Sequence, residues 1–204
     1  MAAASKAILS LLFLCPVLAW AGDLPPGGSG SPTIFTTSVA GALATTSGTF
    51  SSPAFSGSFT EWVVADPANT FCAGCLDFII EVSNNGSSTD SIEGVIAGSF
   101  AGLLTSAGED SLLGGVAPAK VARRASGGAV GFGFGVGLLA GQTSEALEIE
   151  TNTRYYQKGT ISFTHGDAVS APGFSADAVP EPASLVLMGT GLLALGAWLR
   201  RRRA

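Results

Sequence analysis

The chain reads as mainly β: an antiparallel β-sandwich of about seven to nine strands, set between an N-terminal signal peptide and a C-terminal transmembrane helix. Three observations predict this. The legible elements of the body alternate in period two, and none sustains a 3.6-residue period. Glycine supplies 28 of 204 residues and falls at the breaks between those elements. The two apolar runs at the chain ends carry the flanks of targeting segments rather than of core elements.

Residues 1–21 read as the signal peptide. Lys6 gives a basic start, Ala7 to Leu18 an apolar stretch broken by Pro16, and Ala19-Trp20-Ala21 a small-x-small exit. Cys15 lies inside the peptide and leaves with it. Export implies secretion machinery as a first partner. Residues 22–33, rich in Gly, Pro and Ser, read as a flexible lead. The sandwich domain is expected over 34–176.

Within it, Ile34 to Phe55 is dense in Thr, Ser, Ala and Gly and predicts one or two edge strands. Ser58 to Val64 is aromatic and β-branched and stops at Asp66-Pro67. Leu76 to Val82 is the clearest strand, with Leu76, Phe78, Ile80 and Val82 on one face and Asp77, Ile79 and Glu81 on the other. Asn84-Asn85-Gly86 tolerates a tight turn, so Ser91 to Phe100 is expected to return as the second arm of a hairpin. Residues 101–128 read as a long connection with one short helical turn. Ala129 to Gly137 alternates Val130, Phe132, Phe134 and Val136 with glycines, leaving a bare face that invites close approach by another backbone or a second sheet. Ala146 to Thr151 alternates with Glu148 and Glu150 on a wet face, and Gly159 to Thr164 reads as the last strand, closed by Gly166-Asp167.

The tail, 177–204, has three parts: Val179-Pro180-Glu181-Pro182, an apolar run from Leu185 to Leu199, then Arg200, Arg201, Arg202 and Arg203. The prolines fix φ and prevent the joint from continuing the helix. Ala183 to Leu199 is at the short limit of the roughly 17–25 residues that span a hydrocarbon core. Four arginines on one flank hold that end in the cytoplasm. This order resembles the PEP-CTERM sorting signal of bacterial surface proteins, with Val179 to Pro182 as sorting motif, Leu185 to Leu199 as span and Arg200 to Arg203 as stop. The alternatives are an unprocessed anchor and a core helix, the latter opposed by the arginines.

The resemblance implies an exosortase-type membrane enzyme as processing partner and passage through the inner membrane. The expected destination is the cell envelope, cell surface or extracellular matrix, in a setting of exopolysaccharide and biofilm. The body is similar, more loosely, to domains many such proteins carry, through Asp66-Pro67 to Phe78, the Phe132–Phe134 strand and Gly141-Gln142-Thr143-Ser144 to Thr153. For that domain the family supplies no established activity.

Charge excludes one class. The body holds 5 basic and 14 acidic side chains without a basic stripe, so it repels nucleic acid. Cys72 and Cys75, in Cys-Ala-Gly-Cys, fit a small disulfide in an oxidising compartment, pinning the start of a strand; free thiols or redox chemistry are the alternatives. Two thiols and His165 are too few for zinc. Asp66, Asp77, Asp90 and Asp167 could offer calcium oxygens, but no loop has calcium-ligand spacing, so no metal and no cofactor are expected.

No catalytic residues emerge either. His165 stands alone without a nucleophile elbow. Glu109-Asp110 reads as solvated. Glu148 and Glu150, about 7 Å apart by strand rise, match a glycosidase pair less well than a solubility feature. The expected function is a non-enzymatic structural or adhesive role. The alternative is a polysaccharide-binding or polysaccharide-acting module, for which Trp62, Tyr155 and Tyr156 are the candidate glycan contacts.

Overall fold

The structure, a computed structural model, describes residues 23–110 and 113–177. The signal peptide, the sorting motif, the Leu185–Leu199 span and the arginine cluster lie outside the described residues. Alternation is realised as strands throughout: β1 Ser29–Gly30, β2 Thr33–Phe35, β3 Ala44–Ser51, β4 Ser56–Asp66, β5 Cys75–Asn84 and β6 Ile92–Gly98. They are followed by β7 Thr105–Asp110, β8 Lys120–Arg123, β9 Ala129–Leu138, β10 Ala146–Thr151, β11 Tyr156–His165 and β12 Asp167–Ala176. No helix occurs among the described residues. The strands form two six-stranded sheets, ordered β1-β8-β9-β6-β11-β12 and β2-β7-β10-β5-β4-β3. All pairs are antiparallel except β2 with β7. The expected sandwich is present, with twelve strands among the described residues rather than seven to nine.

Its core is the inward face of these alternations, except that Val136, expected on the face of Val130, Phe132 and Phe134, is 83% exposed where β9 bulges out of register with β6. Phe59 and Val63 of β4, Leu76, Phe78, Ile80 and Val82 of β5, and Leu147 and Ile149 of β10 meet Val95 of β6, Phe132 of β9 and Phe163 of β11. Phe50 stacks on Phe163 with ring centroids 3.7 Å apart, joining β3 of one sheet to β11 of the other. Full burial of one such side chain stabilises by roughly 1.5–3 kcal/mol, so this phenylalanine layer carries much of the fold.

Several expectations are corrected. Segments 76–82 and 91–100 do not pair: β5 lies between β4 and β10, whereas β6 lies between β9 and β11 in the opposite sheet. After Asn84 the chain therefore crosses between sheets, and Asn84 Nδ2 holds the crossing by donating to Asp90 O at 3.1 Å and Leu138 O at 2.8 Å. Residues 101–128 contain β7 and β8, and Asp110 is buried rather than solvated. Gly159–Thr164 is not the last strand, because Gly166, at φ +66°, turns β11 back into β12. Pro172 hides β12 in the sequence, yet β12 is an edge strand, where a missing N–H is tolerated. The 22–33 lead carries β1 and buries Leu24, whose N–H donates to Thr105 O at 2.7 Å. The bare glycine face of β9 is not covered by a second sheet; the atoms nearest Gly131 and Gly133 belong to the flanking strands β6 and β8.

Candidate functional site

The outward face of the second sheet is covered, and this builds the site. Val64, Ile79 and Ala146 form a small second apolar cluster there, packed by Val39, Ala42 and Trp62. Residues 36–43, between β2 and β3, thus lie over the sheet, and Thr37 Oγ1 donates to Glu148 Oε1 at 2.7 Å. Next to it lies the loop joining β4 to β5. Asp66 O accepts N–H bonds from Asn69 at 3.3 Å and Gly74 at 2.7 Å, which folds the loop back on itself. Gly74 takes φ +75°, a left-handed conformation that glycine enters without steric cost. Cys72 and Cys75 are joined by a disulfide, Cα–Cα 5.3 Å, at the first residue of β5, as the sequence predicts.

Asn69 is the hub of this loop. Its Oδ1 accepts from Phe71 N at 2.8 Å and Cys72 N at 3.2 Å, while its Nδ2 donates to Asp77 Oδ1 at 2.6 Å and Thr151 O at 3.2 Å. Thr70 N donates to Glu150 Oε1 at 3.3 Å. The loop is therefore clamped over a carboxylate group rather than standing free in solvent.

Register explains the grouping. Asp77 on β5 faces Glu150 on β10 directly, and both side chains point outward under the loop. Asp66, at the end of β4, completes a set in which one oxygen from each of Asp66, Asp77 and Glu150 lies within 4.8 Å of the others. Asp77 and Glu148 are fully buried and Glu150 is 3% exposed. The expectation that Glu148 and Glu150 form a wet face is overturned, because the 36–43 and 67–74 segments cover them. Asp77 Oδ2, Glu148 Oε2 and Glu150 Oε2 are buried with no hydrogen-bond partner.

Such crowding is unfavourable for charge. Burial, then the neighbouring Glu148 charge, pushes the Asp77 carboxyl up to about 9, against the pull of Asn69. Burial likewise raises Glu148 to about 8 against the Thr37 bond, and raises Glu150 against its bonds to Thr70. Like charges directly opposite on a sheet repel. Left to themselves, Asp77 and Glu148 hold protons at neutral pH.

The other candidate residues are dispersed. Trp62 is half-buried in the outer apolar cluster. Tyr155, 59% exposed, lines a shallow hollow with Asn152, Arg154 and the Cys72–Cys75 disulfide. Tyr156 opens β11 and meets Phe174 edge-on at 5.5 Å. His165 lies between Asp90 and Glu93, its nitrogens 4.0 and 3.6 Å from their carboxylates. Asp90 and Asp167 do not join the acidic cluster, whereas Glu150, absent from the sequence-based calcium set, does. Beside the hollow, Thr153 Oγ1 donates to Asp177 O at 2.7 Å and Asp177 N donates to Tyr155 O at 2.9 Å, so the chain is held at the last described residue.

The described residues form an all-β domain that ends one residue before Ala178. The family model of the PEP-CTERM protein-sorting motif matches residues 178–203. This motif marks an exported protein handed to an exosortase-type processing enzyme and sorted to the cell envelope. No curated protein and no solved structure matches the chain.

Proposed function

We propose that this protein is a non-enzymatic structural or adhesive component of the cell envelope or extracellular matrix. The observation that carries the reading is the sorting motif at 178–203, fused directly to a sandwich. The burial of Glu148 and Glu150 supports it, since a glycosidase pair must reach its substrate. The signal peptide sends the chain out, the span arrests it in the inner membrane, and processing at Pro180-Glu181-Pro182 delivers the domain. Replacing Pro180, Glu181 and Pro182 with alanine tests this. Export should persist while the mass of the mature protein stays unprocessed. An unchanged mass and location relative to wild type would reduce the tail to a simple anchor.

One observation favours a second reading, polysaccharide binding. Tyr155 is exposed beside Arg154 and Asn152, giving an aromatic face with polar neighbours. A glycan array comparing wild type with a Trp62→Ala, Tyr155→Ala, Tyr156→Ala variant separates the readings. Glycan binding that the variant loses supports this second role; absent or unchanged binding removes it.

A further inference from the structure

The acidic cluster has a geometry that repulsion alone would not select. Three carboxylates from three strands converge, each offering one oxygen within 4.8 Å of the others. Oxygens bound to one cation at 2.3–2.6 Å lie at most about 5 Å apart, so a single ion can touch all three. Asp77 Oδ2 and Glu150 Oε2 are buried without partners, although both residues already use their other oxygen for a hydrogen bond. An unsatisfied buried carboxylate oxygen is costly, and the ion pairs among the described residues, those of His165 with Asp90 and Glu93, do not involve Asp77 or Glu150.

We infer that Asp66, Asp77 and Glu150 bind a calcium ion beneath the disulfide-closed loop 67–74, with the Glu148 side chain adjoining. The donor set is all oxygen, which suits a hard cation and not zinc or copper. Calcium fits better than magnesium because its coordination is flexible, whereas magnesium demands near-ideal octahedral placement and gives up its water reluctantly. Asp66, half-buried, forms the solvent side through which the ion and its remaining water ligands enter. The ion also gives Asn69 its purpose: by holding Asp77 Oδ1 and Thr151 O, this amide fixes the carboxylate so that Oδ2 faces the ion. Calcium then ties β4, β5 and β10 to the loop above them. The inference goes beyond the sorting reading and does not depend on it.

The test uses the full chain, stripped with a chelator and held in detergent, with calcium as the titrant. Calorimetry should show about one ion per chain, with Kd on the order of 10⁻⁴–10⁻³ M as in extracellular modules, and thermal melting should rise by several degrees at ~5 mM calcium. Asp77→Asn and Glu150→Gln should each weaken binding at least about tenfold. Because these changes are isosteric and add no charge, the metal-free melting temperature should stay level or rise. Asp167→Asn, remote from the cluster, should bind as wild type does. Wild-type protein with neither a binding isotherm nor a calcium-dependent shift overturns the site without recourse to any variant. So does an Asp77→Asn, Glu150→Gln double variant that keeps the full shift.

Discussion

The Glu61 carboxylate oxygen Oε2 accepts a 2.6 Å hydrogen bond from the Phe174 backbone N–H, reaching from β4 of one sheet to β12 at the edge of the other. Glu61 points inward with Phe59 and Val63 and is fully buried. Its carboxyl therefore occupies an amide that β12, an edge strand, would otherwise offer to another chain.

Burial lifts the Glu61 carboxyl from 4.5 to about 8, partly countered by the Phe174 bond. The unfolded chain releases this proton near pH 4.5, the folded protein only near pH 8. Between those values the native state binds more protons, so stability falls as pH rises through that window. Thermal midpoints measured across it should decline in wild type and decline less in Glu61→Gln. Asp77 and Glu148 shift the same way in both proteins. The difference between the two curves is therefore the quantity to read.

Gly173 makes the Glu61 bond possible. A Cβ there would stand 2.6 Å from Glu61 Oε2 and 2.8 Å from Ile161 Cδ1. Gly173→Ala should destabilise by about 1–3 kcal/mol through overpacking, measured by urea denaturation. Combined with Glu61→Gln, the two costs should not add, since both act on one contact.

Arg123 is buried and ties together three loops. Its Nε donates to Gly127 O, Nη1 to Leu24 O, and Nη2 to Phe100 O and Leu103 O, at 2.8–3.1 Å. Arg123→Met keeps the stem and removes every donor. Leaving these carbonyls unpaired should cost at least about 3 kcal/mol in equilibrium unfolding. Arg123→Lys should recover only part, since an ammonium lacks the guanidinium fork.

The Cys72–Cys75 bridge closes a very short loop, for which chain entropy gives only about 2 kcal/mol. A Cys72→Ser, Cys75→Ser variant should remain folded. Its hydrogen exchange should rise chiefly at the amides of positions 69, 71 and 75, which lie in or beside the loop.

How legible all this is in the sequence depends on side-chain contrast. β4, β5, β9 and β10 are visible because aromatic or β-branched residues alternate with polar ones or glycine. β7, Thr105–Asp110, offers almost no such contrast; it is a strand because β2 and β10 pair with it on both sides. Gly108 admits that pairing, since a Cβ there would collide with the Thr33 backbone. The acidic cluster is hidden differently. Asp66, Asp77 and Glu150 are far apart in sequence, and only the β5–β10 register sets Asp77 against Glu150. Alternation assigns their face correctly but not its cover, since residues 36–43 and 67–74 lack periodicity. The sorting motif needs no fold to be recognised, being defined by local order alone.

The clamp of Thr153 and Tyr155 on Asp177 has a consequence for delivery. Only Ala178 and Val179 separate that fixed point from Pro180. At no more than about 3.6 Å per residue, the sandwich and Pro180 can be at most roughly 10 Å apart. An enzyme that engages this motif therefore meets the folded sandwich close by, so its approach is governed by the surface around Tyr155 as well as by the motif.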